Sequence, residues 1–201
     1  MVEFEASLDP DPDVQFERWF AEAAAAGVAH PEAMALATAT REGVPSARMV
    51  LLKGHDEGGF AFYTSRESRK GLELEDNPVA ALVFHWTSPR ERQVRVDGRV
   101  ERLHETASAA YFATRPREAQ LAAWASPQSR PVAGRQELER RLAAVAARFG
   151  DEQEVPLPPF WGGYAVVPST FEFWQAREHR FHDRVRYARA GGGWRRERLG
   201  P

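Results

Sequence analysis

Four short segments of the chain carry side chains that could do chemistry. The first, Arg48-Met49-Val50-Leu51-Leu52-Lys53, reads as an apolar strand with a basic residue at each end. Side chains alternate across a strand, so residues five positions apart face opposite ways. Arg48 and Lys53 therefore suit two anionic groups on two sides; a buried strand with solvated ends is the plain alternative. The second segment runs from Phe62-Tyr63-Thr64-Ser65 into Ser68-Arg69-Lys70. A strand ending in hydroxyls is followed there by a helix start, whose free N–H groups and positive dipole end attract anions. Cations at that end work against the helix itself. A bound phosphate would offset the conflict; otherwise this is a surface helix with untuned charges. In the third, Tyr111 and Arg115 stand four residues apart and share a helix face. Together they suit a phosphate ester, or simply a solvated pair.

The fourth segment, Phe173 to Arg184, is the densest. It places His179, His182, Arg177, Arg180, Arg184, Glu178 and Asp183 beside Trp174 in one loop. The two histidines lack carboxylate or thiolate partners at metal spacing. No Gly-x-Ser-x-Gly elbow is present to support a serine hydrolase. The concentration of functional groups between aromatic residues points to a reactive loop rather than a wet surface turn.

These segments need a frame. The 201 residues suffice for one compact domain with a core of its own. The absence of cysteine excludes disulfides, thiolate zinc sites, iron–sulfur clusters and cysteine nucleophiles. With a formal charge of −2 and arginines dispersed among acids, no nucleic-acid surface is expected. An acidic start without an apolar stretch is not a secretory signal, and no apolar run reaches the roughly 20 residues of a membrane span. The expectation is a soluble, cytoplasmic protein without a membrane partner.

Residues 1–12 read as a flexible N-terminal arm and residues 13–201 as a single domain. A helix capped by Asp13 carries Phe16, Trp19, Phe20 and Ala23 on one stripe. Strands are expected over Ala33–Thr40, Ala47–Lys53, Phe60–Thr64, Val79–Trp86 (buried on both faces), Gln93–Leu103, Gly163–Val167 and Thr170–Gln175, with a hairpin around Gly191-Gly192-Gly193. Helices are expected over Ser68–Asp76, Thr106–Thr114, Glu118–Ala125 and after Gly134, followed by a loop from Asp151 to Pro159. Without regular strand–helix alternation or a Gly-rich dinucleotide loop, an antiparallel barrel with appended helices fits better than a doubly wound sheet.

In combination, Arg48 to Lys53, Tyr63-Thr64, Ser68-Arg69-Lys70, Glu91 to Val94, Arg115-Pro116-Arg117, Trp124 to Ser129, Phe160 to Gly163 and Glu172 to Arg184 make the chain resemble the pyridoxamine 5′-phosphate oxidase family over nearly its whole length. The resemblance implies a mainly β fold with appended helices (α+β), an FMN-binding split β-barrel that forms a homodimer with FMN at the interface. It implies FMN contacts from Arg48, Tyr63, Thr64, Arg69, Lys70, Gln93, Gln128, Ser129, Trp174 and Arg184, and from the main chain of Met49, Val50, Leu51, Leu52 and Lys53. Substrate contacts would come from Lys53, Tyr111, Arg115, Arg180 and His182, the last two also catalytic. The implied reaction is oxidation of pyridoxamine or pyridoxine 5′-phosphate by O2 to pyridoxal 5′-phosphate, with release of hydrogen peroxide. A related flavin oxidase acting on a phenazine precursor, or a non-catalytic FMN or pyridoxal-phosphate binding protein, are the alternatives.

Three departures from the family pattern stand out. Ala119 replaces a common serine, a loss of about 0.5–1.5 kcal/mol for one hydrogen bond. Ala176-Arg177 stands where Gly-Gly is frequent, and a basic, tyrosine-containing N-terminal arm is missing.

Overall fold

A computed structural model describes residues 4–56, 58–150 and 153–201. The start of the expected arm (residues 1–3) and of the 151–159 loop (residues 151 and 152) lie outside the described residues. Two helices open the chain, α1 (Phe4–Ser7) and α2 (Pro12–Ala25). Strands β1 (Ala33–Ala39), β2 (Pro45–Leu51), β3 (Gly54–Asp56) and β4 (Gly59–Ser65) lead into α3 (Arg69–Asp76). Then come β5 (Val79–Trp86), β6 (Arg92–Arg102), α4 (Glu105–Ala113), α5 (Arg117–Ala125) and α6 (Arg135–Phe149). Strands β7 (Trp161–Gln175), β8 (Asp183–Ala190) and β9 (Gly193–Arg198) finish the chain.

Among the described residues, nine strands join one curled antiparallel sheet, ordered β2-β1-β5-β6-β7-β4-β3, with β8 on β7 and β9 on β8. The chain therefore has the mainly β, helix-decorated split-barrel architecture. The long strand β7 is its spine. It pairs with β6 along its length, with β4 at its first half and with β8 at its second. Two separate strands were expected here because Pro168-Ser169 interrupts the pattern. The strand instead continues through a bulge, where the register with β6 shifts between Asp97 and Gly98. Ser169 and Thr170 satisfy the local groups by bonding the Asp97 carbonyl and carboxylate, both at 2.9 Å. Gly98 is required, since a Cβ there would lie 2.1 Å from the Val167 carbonyl oxygen.

The core is filled by alternate residues of these strands, including Leu36, Phe60, Phe62, Leu82, Phe84, Val94, Val96, Phe171 and Phe173. Helix α2 seals one opening with Phe16 and Trp19, both almost fully buried. Each contributes roughly 1.5–3 kcal/mol by that burial. Its cap is Asp11, whose side chain accepts from Asp13 N–H, rather than Asp13 itself. Strand β5 is buried on one face only: Ala80, Leu82, Phe84 and Trp86 point in, while Val79 and His85 are exposed.

Residues 4–12, expected as a flexible arm, are docked in the structure. Phe4 and Leu8 are buried with the core, and the Tyr187 hydroxyl donates to the Asp9 carbonyl at 2.6 Å. A second, smaller core under α4–α6 gathers Phe112, Phe149, Val155 and Trp161.

Candidate functional site

Three groups of polar side chains are assembled by this frame. The first sits where β4 turns into α3. Ser68 caps α3, accepting from Gly71 N–H at 3.3 Å. Lys70 folds back into the protein and is 8% exposed. Its Nζ donates to Thr64 Oγ1 at 3.1 Å and Gln128 Oε1 at 3.3 Å, and Thr64 donates to the same Gln128 oxygen at 2.8 Å. Burial pulls the Lys70 pKa down and the Arg48 charge adds to this, while Glu73 opposes both. The ammonium thus rests on neutral oxygens.

Arg48 reaches the same region from β2. Its guanidinium donates to the Leu36 carbonyl at 3.1 Å and to Thr38 Oγ1 at 2.6 Å, bonds Ser46 Oγ, and lies 3.3 Å from Glu73. Glu73 accepts from Thr38, from Ser46 at 2.6 Å and from Arg69 Nε at 2.8 Å. Burial would raise its pKa, but the hydrogen bonds from Ser46, Thr38 and Arg69 outweigh that and hold it at about 2. Glu73 was not singled out by the sequence; a glutamate on an amphipathic helix carries no signal of burial. It neutralises Arg48 and Arg69 and leaves Lys70 as the cation without a carboxylate partner in this group. Ser129, in the left-handed region at φ 67°, faces an open depression shared with Arg69.

β2 is an edge strand with an exposed apolar face. Met49 is 65% and Leu51 42% exposed, whereas Val50 packs on the core and Leu52 is buried. Lys53 follows the strand's end with an exposed side chain, its N–H donating to the Ala61 carbonyl. Arg48 and Lys53 therefore occupy separate environments.

The second group is a stack of rings. Tyr63 lies on Tyr111 with centroids 4.0 Å apart and on Trp161 at 5.5 Å, all nearly parallel. Burial pushes the Tyr63 phenol up, with Tyr111 adding to it. One turn beyond Tyr111, the Arg115 guanidinium lies 5.0 Å from the Trp161 ring. Burial pulls its pKa down, and its buried Nη1 has no hydrogen-bond partner among the described residues. A desolvated guanidinium nitrogen without an acceptor is costly, and an anion placed beside it would relieve that cost. Trp161 lies in one of the segments that carry the resemblance, but residue spacing assigns it no part in the site, because only the fold brings it to Tyr111 and Arg115.

The third group is the loop between β7 and β8. Gln93, Trp174 and Arg184 sit side by side across β6, β7 and β8. Arg184 is held by Glu172 at 2.8 Å and by the Gly200 carbonyl at 3.0 Å, and the Glu172 bond raises its pKa. A short 3-10 turn (Glu178–Arg180) carries His179 and Arg180 at φ 56° and 59°. Left-handed non-glycine residues cost about 1–3 kcal/mol each, so the surrounding structure imposes this shape. The His182 ring lies 4.7 Å from that of Trp174. A cleft of about 1380 Å³ runs between α1, α2 and the base of this loop.

The first two groups adjoin the start of β7, through Tyr63–Gly163, Thr64–Gly162 and Ser65–Trp161. The third adjoins its end, through Gln93–Trp174. Trp174 stands twelve positions after Gly162 on the strand, roughly 40 Å if straight. The first two groups and the third thus adjoin opposite ends of β7.

Comparisons with known proteins agree with this architecture. Residues 20–149 match the family profile described as pyridoxamine 5′-phosphate oxidase. Residues 161–201, which are β7 to β9, match that of the pyridoxine 5′-phosphate oxidase C-terminal dimerisation region. A pyridoxine/pyridoxamine 5′-phosphate oxidase of Rubrobacter xylanophilus is 60% identical over 197 residues, covering 98% of this chain and 90% of the relative. The crystal structure of PhzG from Burkholderia lata, in complex with tetrahydrophenazine-1-carboxylic acid, superposes with a TM-score of 0.90 at 32% identity, over 100% of this chain and 97% of that one. A pyridoxamine 5′-phosphate oxidase-related, FMN binding protein of Nostoc punctiforme shares the fold, with a TM-score of 0.72 at 18% identity over 97% and 99%. Among the described residues, no helix is long and apolar enough to cross a membrane.

Proposed function

The chain belongs to the pyridoxamine 5′-phosphate oxidase family, and from that premise we propose that it oxidises pyridoxamine or pyridoxine 5′-phosphate to pyridoxal 5′-phosphate, as a cytoplasmic homodimer using FMN and O2. The observation that carries this reading is the pair of separate cationic pockets. One holds Lys70 on neutral oxygens, the other holds Arg115 with a nitrogen left unpartnered. Two desolvated cations in two places suit two phosphate esters, one on the cofactor and one on the substrate.

The donor set fits FMN. Lys70, Thr64, Gln128, Arg48, Arg69 and Ser129 would take its phosphate. Tyr63, the backbone of residues 49–53, Gln93, Trp174 and Arg184 would line the rest. Because these residues lie at opposite ends of β7, one chain cannot supply them all to one molecule. A second copy must contribute Gln93, Trp174, Arg184 and the reactive loop, consistent with β7 to β9 matching a dimerisation region. The exposed apolar edge of β2 suits the same interface.

Bound FMN supplies the two-electron chemistry and the reaction with oxygen. The chain's own residues bind and orient. Tyr111, Arg115 and Lys53 anchor the substrate phosphate, which fixes the reach of the pyridine ring. From the partner copy, Arg180 and His182 stand over that ring and position it by hydrogen bonding, which eases loss of the amine or hydroxyl proton. For the amine, O2 and water are consumed, and the aldehyde, ammonia and hydrogen peroxide are formed; the alcohol yields aldehyde and peroxide.

The second reading, an oxidase of tricyclic phenazine precursors, is favoured by the superposition on PhzG. The Arg115 pocket speaks for a phosphorylated substrate instead. Turnover of pyridoxamine 5′-phosphate, pyridoxamine and a tetrahydrophenazine carboxylate separates them. Selective turnover of the phosphorylated compound is expected; preference for the tricycle would reverse the assignment, and no turnover with FMN bound would favour a carrier.

A further inference from the structure

The loop that carries Arg180 and His182 is closed at its neck by a contact that the proposed reaction does not itself use. Arg177 Nε donates to Asp183 Oδ2 at 2.5 Å, joining the residue before the loop to the residue after it. Asp183 is buried. Its other oxygen accepts from Arg198 at 2.8 Å, and Arg198 also pairs with Glu5 at 2.5 Å. The clasp is therefore braced by the last strand and by the docked N-terminal segment. Within it, the Arg177 main-chain N–H donates to His182 Nδ1 at 3.2 Å, and the His182 ring rests against Trp174.

An N–H aimed at Nδ1 requires a lone pair on that nitrogen. The neutral ring then carries its proton on Nε2, the atom turned away from the clasp. We propose that Arg177, through its ion pair with Asp183, is a positioning residue that holds His182 in one orientation and one tautomer, with Nε2–H presented to the substrate. The inference rests on the role given to His182 above. Arg177 also accounts for how a loop with two consecutive left-handed non-glycine residues keeps one shape. A bidentate-capable guanidinium on a buried carboxylate is a stiff fastening, and it stands where a Gly-Gly pair would leave the neck free.

The test uses Arg177→Ala and Arg177→Lys in the FMN-loaded full chain, with steady-state kinetics and ¹⁵N spectra of the histidine ring. Both variants keep the main-chain N–H. Arg177→Ala should lower kcat about tenfold while KM for the phosphorylated substrate changes less than about twofold, since misplacement of a reacting group costs rate. The His182 signal should change from a single Nε2–H tautomer to a mixture, and Arg177→Lys should restore both. Wild-type kcat in Arg177→Ala, or an unchanged His182 spectrum, would overturn the proposal. If the wild type oxidises neither phosphorylated vitamer, the functional reading fails, yet the spectra still report on the clasp.

Discussion

Arg115→Met is the most informative single change. The substitution keeps a flexible side chain against Trp161 and removes a guanidinium whose buried Nη1 has no partner. A charge-assisted hydrogen bond to a phosphate is worth about 1.5–3 kcal/mol, so KM for pyridoxamine 5′-phosphate should rise about ten- to a hundred-fold. Unphosphorylated pyridoxamine should be handled as before. Stability should respond differently. The lost cation–π contact costs about 0.5–2 kcal/mol, and relief of an unpaired buried donor returns about 1–3 kcal/mol. The two nearly cancel, so the melting temperature should move by no more than about 4 °C. Steady-state kinetics on both substrates and a thermal melt give the full comparison. An unchanged KM together with a fall in Tm beyond about 8 °C would show that Arg115 holds α4 in place and that the substrate-phosphate assignment is wrong.

Two further predictions concern the other groups. Lys70→Met should weaken FMN binding and Arg180→Ala should abolish turnover while FMN still binds; co-expressed, they should recover about a quarter of wild-type activity, because half the dimers then hold one intact composite site. Zero recovery would place all site residues in one chain. Glu73 has a folded pKa of about 2 against 4.5 ordinarily. Its carboxylate thus adds stability above pH 4.5, about 3 kcal/mol at most, which is lost as the pH falls towards 2. Urea midpoints of wild type and Glu73→Gln should differ at neutral pH and converge near pH 2; a constant gap would refute this.

Much of the frame is legible in the sequence because it follows from local pattern. The strand expected over Gln93–Leu103, the helix expected over Ser68–Asp76 and the hairpin at residues 191–193 all appear within a residue or so of where the residue pattern puts them. The failures have physical causes. Pro168 reads as a strand end, but a bulge absorbs it against Gly98. Asp9-Pro10-Asp11-Pro12 reads as a breaker before a loose arm, yet Phe4 and Leu8 bury side chains that no local pattern demands. Within the site, Ser68-Arg69-Lys70 announces an anion, but which cation stays unpaired depends on Glu73 and on Gln128, 58 residues from Lys70. The Arg115 pocket depends likewise on Trp161, which only the fold brings to it. That the loop of residues 178–182 and the Lys70 pocket lie at opposite ends of β7 is a property of strand order, invisible to spacing.

The central claim is tested most directly by supplying the purified protein with FMN and pyridoxamine 5′-phosphate in air and following pyridoxal 5′-phosphate and hydrogen peroxide together. The account predicts that both form in equal amounts and only when FMN is present. FMN binding without either product, from this substrate or from pyridoxine 5′-phosphate, would contradict it.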